Sequence, residues 1–187
     1  TGQITILNDS PFSQEIKQKI GIMSDNSGLY EKMSVYDNLV LFADIYGVDH
    51  SHVERVLREV DLLDAKKMLV SKLSRGMRQR VIFARTIIHS PEILFLDEPT
   101  VGIDPELRQE IWEELRNQAN QGKTILITTH VMDEAERCDV VLMLRNGKFI
   151  AEGSPKEIKE KYQVASVEEA FIVAGKNLEL ENKGAAK

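Results

Sequence analysis

Cysteine is almost absent from this sequence, which has a single one, Cys138, among its 187 residues. One thiol cannot close a disulfide within the chain, so the composition suits a reducing compartment such as the cytosol. No histidine or second cysteine stands near Cys138 at a metal-ligand spacing. We therefore interpret Cys138 as a packing residue and not as a nucleophile.

The sequence also lacks a long hydrophobic run. No stretch approaches the ~20 apolar residues that a transmembrane helix requires, and no signal peptide is recognisable at the amino terminus. We therefore expect any link with a membrane to run through a partner protein. Positive charge is not in excess, since the formal net charge is −6. This balance argues against nucleic acid as the main partner, because phosphate binding needs a basic surface.

The apolar residues that are present follow regular spacings. Spacings of three and four residues predict helices over 35–46, 53–60, 74–88 and 106–121. Compact apolar runs predict strands over 3–7, 20–23, 93–96 and 124–128. Shorter helices are predicted over 131–137, 154–162 and 167–173. Asn146 and Gly147 predict a hairpin between strands 140–144 and 148–152.

These elements predict an α/β fold. Strands 93–96 and 124–128 are joined by a helix, which is the order of a βαβ unit with parallel strands. A mostly helical segment interrupts this pattern, and we interpret it as an inserted helical subdomain over about 33–90. We expect the α/β domain to occupy residues 1–175. A polar, frayed tail would follow over 176–187.

Two acids, Asp97 and Glu98, directly follow the apolar strand 93–96. Open α/β sheets bind ligands at the carboxyl ends of their strands, and carboxylates placed there need a cation or a proton as a partner. Taken alone, the pair is explained equally well as the acidic first turn of a helix before Pro99, where it would interact with the helix dipole. The neighbouring motifs decide between these interpretations.

Four short segments stand in a fixed order around the two acids. They are LSRGMRQR at 73–80, LDEPT at 96–100, VGIDP at 101–105 and TTH at 128–130. Each pattern is weak by itself, but four in this order and spacing are not expected by chance. Over roughly residues 1–160 the sequence resembles the ABC ATPase family, in which these segments are the signature motif, the Walker B motif, the D-loop and the switch histidine.

The resemblance implies a P-loop NTPase-like fold, with a mostly parallel sheet flanked by helices, and binding of ATP and Mg²⁺. Asp97 would hold the Mg²⁺, and Glu98 would orient and polarise the attacking water. The helix start at Ser74 and Gly76 would cap the γ-phosphate held by the other subunit of a head-to-tail dimer. Arg75 replaces the family's usual first glycine. There it either adds positive charge near the phosphate or points outward.

Three further residues each have two interpretations. His130 resembles the switch histidine that contacts the γ-phosphate, although a lone histidine is more often packed or solvated. Asp104 resembles the D-loop acid that links the two sites of the dimer, and it is also a good N-cap before Pro105. Asp25 stands near the place where the family usually carries the Q-loop glutamine, and otherwise it belongs to a turn of small polar residues.

A phosphate-binding loop of the pattern G-x-x-x-x-G-K-[ST] is absent from the sequence. Gly122, Lys123 and Thr124 supply the ending, but Asn117 stands at the first glycine position and the triplet precedes a strand instead of following one. We expect that the chain starts after this loop and lacks the first part of the core. Residues 2–4 resemble the strand that comes shortly after the P-loop helix.

The resemblance implies a motor subunit of an ABC transporter, which binds and hydrolyses ATP to power a separate membrane permease. Such a subunit is cytoplasmic and peripheral on the inner face of the cell membrane. Segments 36–39, 45–47 and 167–171 resemble the multidrug exporter branch. The alternatives are a soluble ABC ATPase acting on ribosomes or DNA, and an inactive ABC fragment. Without the phosphate-binding loop, we expect the isolated chain to be inactive.

Overall fold

The computed structural model of the protein describes residues 2–24 and 28–184. The chain forms two compact units, Thr1–Thr128 and Thr129–Lys187. The helices of the first unit are α1 (Gln14–Lys19), α2 (Val35–Tyr46), α3 (Ser51–Glu59), α4 (Arg75–Ile87) and α5 (Pro105–Asn120). Its strands are β1 (Ile20–Met23), β2 (Ile93–Asp97) and β3 (Thr124–Thr128), and one 3-10 turn spans Val70–Lys72.

Strand β2 lies between β1 and β3 in a parallel sheet. Helix α5 joins β2 to β3, which confirms the predicted βαβ unit. Leu94 and Leu96 are both buried because alternate side chains of a strand share one face of the sheet. The carboxyl ends of parallel strands share one edge, and the register places Asp97 beside Thr128 at that edge.

Helix α4 packs closely against β1, and Gly21 makes this approach possible. A Cβ atom at Gly21 would lie 2.6 Å from the carbonyl oxygen of Thr86 and 2.7 Å from Cδ2 of Leu94. The buried Thr86 hydroxyl lies 3.3 Å from the Ile22 carbonyl and 2.9 Å from the Ile82 carbonyl, and it can donate to either. The buried Thr86 hydroxyl therefore has a hydrogen-bond partner within the close contact of α4 and β1.

The helices of the first unit begin at polar caps that the sequence supplies. The side chains of Ser34, Ser74 and Asp104 each accept a hydrogen bond from the backbone N–H three residues further on. Gly47 ends α2 in the left-handed region, with φ 67°. Helices α2, α3 and α4 all lie within 33–90, the segment predicted as an inserted subdomain, whose boundaries remain a prediction.

The second unit contains a hairpin and three helices. These are α6 (Met132–Ala135), β4 (Val141–Arg145), β5 (Lys148–Gly153), α7 (Pro155–Tyr162) and α8 (Val167–Gly184). Strands β4 and β5 are antiparallel, and both Asn146 and Gly147 have positive φ, so the predicted hairpin is confirmed. The buried core of this unit consists of Ala135, Val141, Met143, Ala151, Ile158, Val167 and Ala170.

One carboxylate ties three helices of the second unit together. Glu136 follows α6 and accepts hydrogen bonds from Nζ of Lys159 at 2.6 Å and from the backbone N–H of Val167 at 2.8 Å. These two donors belong to α7 and α8. The Lys159 ammonium, followed by the Val167 amide, lowers the pKa of Glu136 below its ordinary value, because both stabilise the charged form.

The structure corrects one prediction of local structure, the strand over 3–7, and it differs from the expected elements at two further places. Residues 3–7 form no strand: Ile6 pairs only with Asp9 across a tight turn, and the Ile4 side chain is 72% exposed. A strand needs a neighbour to satisfy its backbone, and the described sheet offers these residues none. Helix α1 was not predicted. The polar tail expected over 176–187 is helical as far as Gly184, as a continuation of α8.

Within the described ranges, no helix has both the length and the apolar character needed to cross a bilayer.

Candidate functional site

Asp97 is the last residue of the central strand, and its side chain is exposed at the carboxyl edge of the sheet. The hydroxyl of Thr128, its neighbour on β3, donates a hydrogen bond to Oδ1 of Asp97. This bond orients the carboxylate and leaves it accessible. Among residues 2–24 and 28–184, no cluster of three or more acids, histidines or cysteines could hold a metal by itself.

Asp97 nevertheless fits one class of metal ion. Mg²⁺ usually takes one or two carboxylates from the protein and completes its octahedron with water and substrate phosphates. A single exposed aspartate at the end of a strand matches this requirement. A site for Ca²⁺ or Zn²⁺ would need more protein ligands than this edge of the sheet supplies.

Glu98 has an unusual backbone for a residue with a side chain. Its φ is +49°, a left-handed value that rarely suits residues other than glycine, asparagine and aspartate. Two hydrogen bonds hold it: its N–H donates to the Thr128 carbonyl at 2.9 Å, and its carbonyl accepts from the Val101 N–H at 3.3 Å. The side chain is half-buried, and Oε2 is fully buried. Backbone strain of this kind concentrates at functional sites.

The start of α4 contains the signature residues. Oγ of Ser74 accepts a hydrogen bond from the Met77 N–H at 3.2 Å, which is the geometry of a helix N-cap. Gly76 packs against α5, because a Cβ atom there would lie 2.6 Å from Cδ2 of Leu107. The start of α4 is exposed, and the positive end of its helix dipole can attract an anion.

Arg75 lies against the loop that follows Glu98. Its Nη2 is 3.4 Å from the carbonyl oxygen of Val101, and its guanidinium fills the space in front of Gly102. Of the two orientations that the sequence left open, a side chain pointing freely outward is not what the structure shows, because the guanidinium lies against the loop. The structure shows an arginine bound to its own chain.

Gln79 is a residue that the sequence reasoning missed. Its Nε2 donates to the carbonyl oxygen of Pro99 at 2.7 Å, within the same loop. Gln79 is one helical turn after Arg75, so both side chains project from one face of α4. The spacing of four residues was the only signal in the sequence, and it did not indicate what this face would contact.

Asp104 is confirmed as the N-cap of α5. Its Oδ1 accepts a hydrogen bond from the Leu107 N–H at 3.0 Å. This bond from the Leu107 amide is the main reason why the pKa of Asp104 is lowered, since it stabilises the carboxylate form. The side chain is exposed at the start of α5, so capping leaves it accessible to a partner.

The structure brings most of the predicted residues into the first unit, in two groups. Asp97 and Glu98 share the Thr128 anchor, while Arg75, Gly76 and Asp104 belong to the contact between α4, the loop 99–104 and α5. His130 is exposed in the second unit, between β3 and α6. Asp25 lies outside the described residues.

A parallel α/β sheet with two acids at the end of its central strand, and a capped helix bound to the following loop, is typical of open α/β proteins that bind ligands at the carboxyl edge of the sheet. The sequence model described as "ABC transporter" matches residues 1–101, which is more than half of the chain. The protein therefore belongs to the ABC transporter family.

Named relatives agree with this assignment. The chain is 38% identical over 177 residues to "Nod factor export ATP-binding protein I" of a Rhizobium species, covering 91% of the chain and 58% of the relative. It is 42% identical over 149 residues to the protein of the same name from Neorhizobium galegae, covering 77% and 43%. To "Probable multidrug ABC transporter ATP-binding protein YbhF" of Escherichia coli it is 34% identical over 169 residues, covering 86% and 29%.

A solved structure shares the fold. It is titled "Structure of ATP binding subunit of ABC transporter" and superposes with a TM-score of 0.82 at 27% identity, covering 94% of this chain and 77% of the other. This similarity confirms the predicted α/β class with a parallel sheet flanked by helices. The chain spans about half, or less, of the length of the curated relatives quoted above.

Proposed function

We propose that this protein is the ATP-binding and ATP-hydrolysing motor subunit of an ABC transporter and powers a separate membrane permease. The observation that carries the proposal is the pair Asp97 and Glu98 at the carboxyl edge of the parallel sheet, both bonded to Thr128. Family membership supports it, as do the relatives, whose names describe ATP-binding proteins of exporters. The same names support the exporter branch over an importer.

Asp97 would hold Mg²⁺, and Glu98 would act as the general base. The metal ion, when bound with ATP, would neutralise charge on the terminal phosphates. Glu98 would accept the proton of the attacking water. Its backbone at the carboxyl edge of the sheet is held by hydrogen bonds at both its N–H and its carbonyl. Thr128 would keep the oxygens of Asp97 directed at the metal.

The remaining site residues would act across a head-to-tail dimer. Ser74 and Gly76 at the start of α4 would bind the γ-phosphate that the partner subunit holds. Asp104 would connect the two sites, and His130 would contact the γ-phosphate. Asp25 would take the place of the Q-loop glutamine between the sheet and the helical subdomain.

We further propose that the protein works as a peripheral subunit on the inner face of the cell membrane, with no role for nucleic acid. A polypeptide of these 187 residues alone should bind MgATP weakly and hydrolyse almost none. A G-x-x-x-x-G-K-[ST] loop, which supplies the backbone amides and the lysine that hold the phosphates, is absent from it.

The test is an ATPase measurement on the purified full-length protein, alone and reconstituted with the permease that copurifies with it. We expect MgATP hydrolysis that the permease stimulates. Full-length protein that neither binds nor hydrolyses MgATP would favour an inactive member of the family. Copurification with ribosomes or DNA in place of a permease would favour a soluble ABC ATPase.

A further inference from the structure

The Arg75 side chain connects the start of α4 with the loop after Glu98. Nη2 lies 3.4 Å from the Val101 carbonyl oxygen, and the guanidinium occupies the space that a side chain at Gly102 would need. Only glycine leaves this room, and the φ of +71° at Gly102 is also a value that glycine adopts without strain. Arginine at 75 and glycine at 102 therefore fit each other.

A second contact reinforces the first. Gln79, four residues after Arg75, donates to the Pro99 carbonyl at 2.7 Å. The two side chains lie on one face of α4 and reach carbonyls two residues apart in the loop. The loop 99–102 is thus held by α4 at two points.

The Val101 contact leads to Glu98 through a short series of hydrogen bonds. Arg75 donates to the Val101 carbonyl, the Val101 N–H donates to the Glu98 carbonyl at 3.3 Å, and the Glu98 N–H donates to the Thr128 carbonyl at 2.9 Å. Glu98 has a φ of +49°, a conformation that persists only when the surroundings enforce it. One of its two anchors is therefore attached to Arg75.

We propose that Arg75 is a positioning residue, which holds the loop 99–104 of its own chain and, through Val101, keeps Glu98 in place for hydrolysis. This inference rests on the proposed ATPase function. Because the guanidinium binds its own loop, losing it should lower kcat and leave KM for ATP nearly unchanged. If Arg75 instead contacted a phosphate of bound ATP before the reaction, its loss would raise KM.

The kinetic test compares Arg75→Ala and Arg75→Lys with Arg58→Ala in the full-length protein. Arg58 is a matched control, because it is an exposed helical arginine whose ion pair with Glu54 lies on α3, 3.4 Å apart. We expect Arg75→Ala to reduce kcat about fivefold to tenfold, as for the loss of one hydrogen bond of ordinary strength, with KM changed less than about twofold. Arg75→Lys should recover part of kcat, and Arg58→Ala should leave both constants unchanged.

Gly102→Ala provides a second variant, because its Cβ atom would displace the guanidinium. It should lower kcat like Arg75→Ala, and the double variant should be no slower than the worse single variant, since both remove one contact. Amide hydrogen exchange over 99–104 should accelerate in Arg75→Ala and not in Arg58→Ala. This readout does not depend on ATPase activity.

Two results would overturn the inference. One is an increase in KM for ATP with kcat unchanged, which would assign Arg75 to the phosphate. The other is unaltered exchange over 99–104 in Arg75→Ala. A wild-type protein without ATPase activity would instead contradict the proposed function, and the exchange measurement would still decide whether Arg75 holds the loop.

Discussion

At the scale of single residues, Glu98 combines a left-handed backbone with a partly buried carboxylate, and both depend on its immediate neighbours. The Thr128 carbonyl and the Val101 N–H hold the backbone, so the side chain leaves the sheet edge in a fixed direction. A change of side chain that keeps this backbone therefore isolates the chemistry of the carboxylate from its placement.

Replacing Glu98 by glutamine should abolish ATP turnover and spare ATP binding in the full-length protein. The amide keeps the shape of the side chain but cannot accept the proton of the attacking water, and losing a general base costs about 10²–10⁴-fold in rate. Steady-state ATPase rates and titration calorimetry with MgATP would measure the two effects separately.

Glu92→Gln is the matched control, since Glu92 precedes the same strand at its opposite end and is paired with Lys19 on the surface. It should retain wild-type turnover. A Glu98→Gln protein that also turned over at nearly the normal rate would remove Glu98 from the catalytic role.

Sequence reasoning reached some of these residues and not others, for a physical reason. Asp97 and Asp104 occupy positions that local patterns define, namely the end of an apolar strand and the cap of a helix. The direction of Arg75 and the role of Gln79 depend on which loop packs against α4. That packing is a tertiary fact, and the sequence around residues 75–79 does not contain it.

At the scale of elements, the close contact of α4 with β1 depends on the absence of a side chain at Gly21. Gly21→Ala should lower the free energy of unfolding by about 1–3 kcal/mol, because overpacking forces a rigid backbone to move. The nearest obstacle is the Thr86 carbonyl oxygen, 2.6 Å from the added Cβ atom, and it cannot rotate away. Urea unfolding followed by circular dichroism would measure the change.

Gly28→Ala serves as the control for Gly21→Ala, because among the described residues, chain neighbours apart, no atom lies within 4 Å of a Cβ at that position. Its unfolding free energy should differ from wild type by less than about 0.5 kcal/mol. Equal stability of both variants would show that α4 and β1 are not in close contact.

The Glu136 contact predicts a dependence on pH. Its pKa is lowered in the folded state, from an ordinary value of 4.5, chiefly by the Lys159 ammonium and then by the Val167 amide. The stabilisation is therefore fully present above about pH 4.5 and is lost as the pH falls through the lower folded value. Because the pair is partly exposed, the contribution should stay below about 1 kcal/mol.

Glu136→Gln tests this dependence. The variant should be slightly less stable than wild type at pH 7, and the two should converge as the pH is lowered towards 3. Melting temperatures across this range would measure the difference. Glu152→Gln, a change on the exposed side of β5, is the control and should not alter the profile. A constant gap between wild type and Glu136→Gln at all pH values would contradict the linkage.

Most elements were predictable because their signals are local. Helix α2 and strand β3 have the predicted bounds, since apolar spacing and end residues such as Gly47 coincide there. Residues 3–7 carry a strand pattern without a strand, because pairing depends on a neighbour that a local pattern cannot supply. Helix α1 is short, with only Ile16 buried, so it shows no clear periodicity.

At the scale of the whole molecule, the proposed dimer predicts complementation between defective subunits. Ser74→Arg removes the cap of α4 and blocks its helix start, whereas Glu98→Gln disables the base. In a head-to-tail dimer, each site would combine Glu98 of one subunit with Ser74 of the other. A dimer of one Ser74→Arg and one Glu98→Gln subunit therefore has both defects in the same site, and its other site is intact. We expect mixtures of the two full-length variants to recover part of the ATPase rate, beyond either variant alone.

The control is a mixture of each variant with Arg58→Ala, which identifies the rate that a dimer with one defective site can reach. Activity in the Ser74→Arg and Glu98→Gln mixture should peak near equal amounts of the two subunits. No recovery at any ratio would argue that each subunit acts alone or that both sites must be intact.

The two acids at the sheet edge depend on Thr128 in different ways, and this has a consequence for how the position can vary. Asp97 accepts a hydrogen bond from the side-chain hydroxyl, which depends on the amino acid at position 128. Glu98 donates to the backbone carbonyl, which every amino acid provides. Natural variants at 128 can therefore alter only one of the two acids. A drift from threonine to valine would free the aspartate and leave the glutamate anchored, and serine would keep both. Selection for the side chain at this codon thus acts through Asp97, the residue that we propose as the Mg²⁺ ligand.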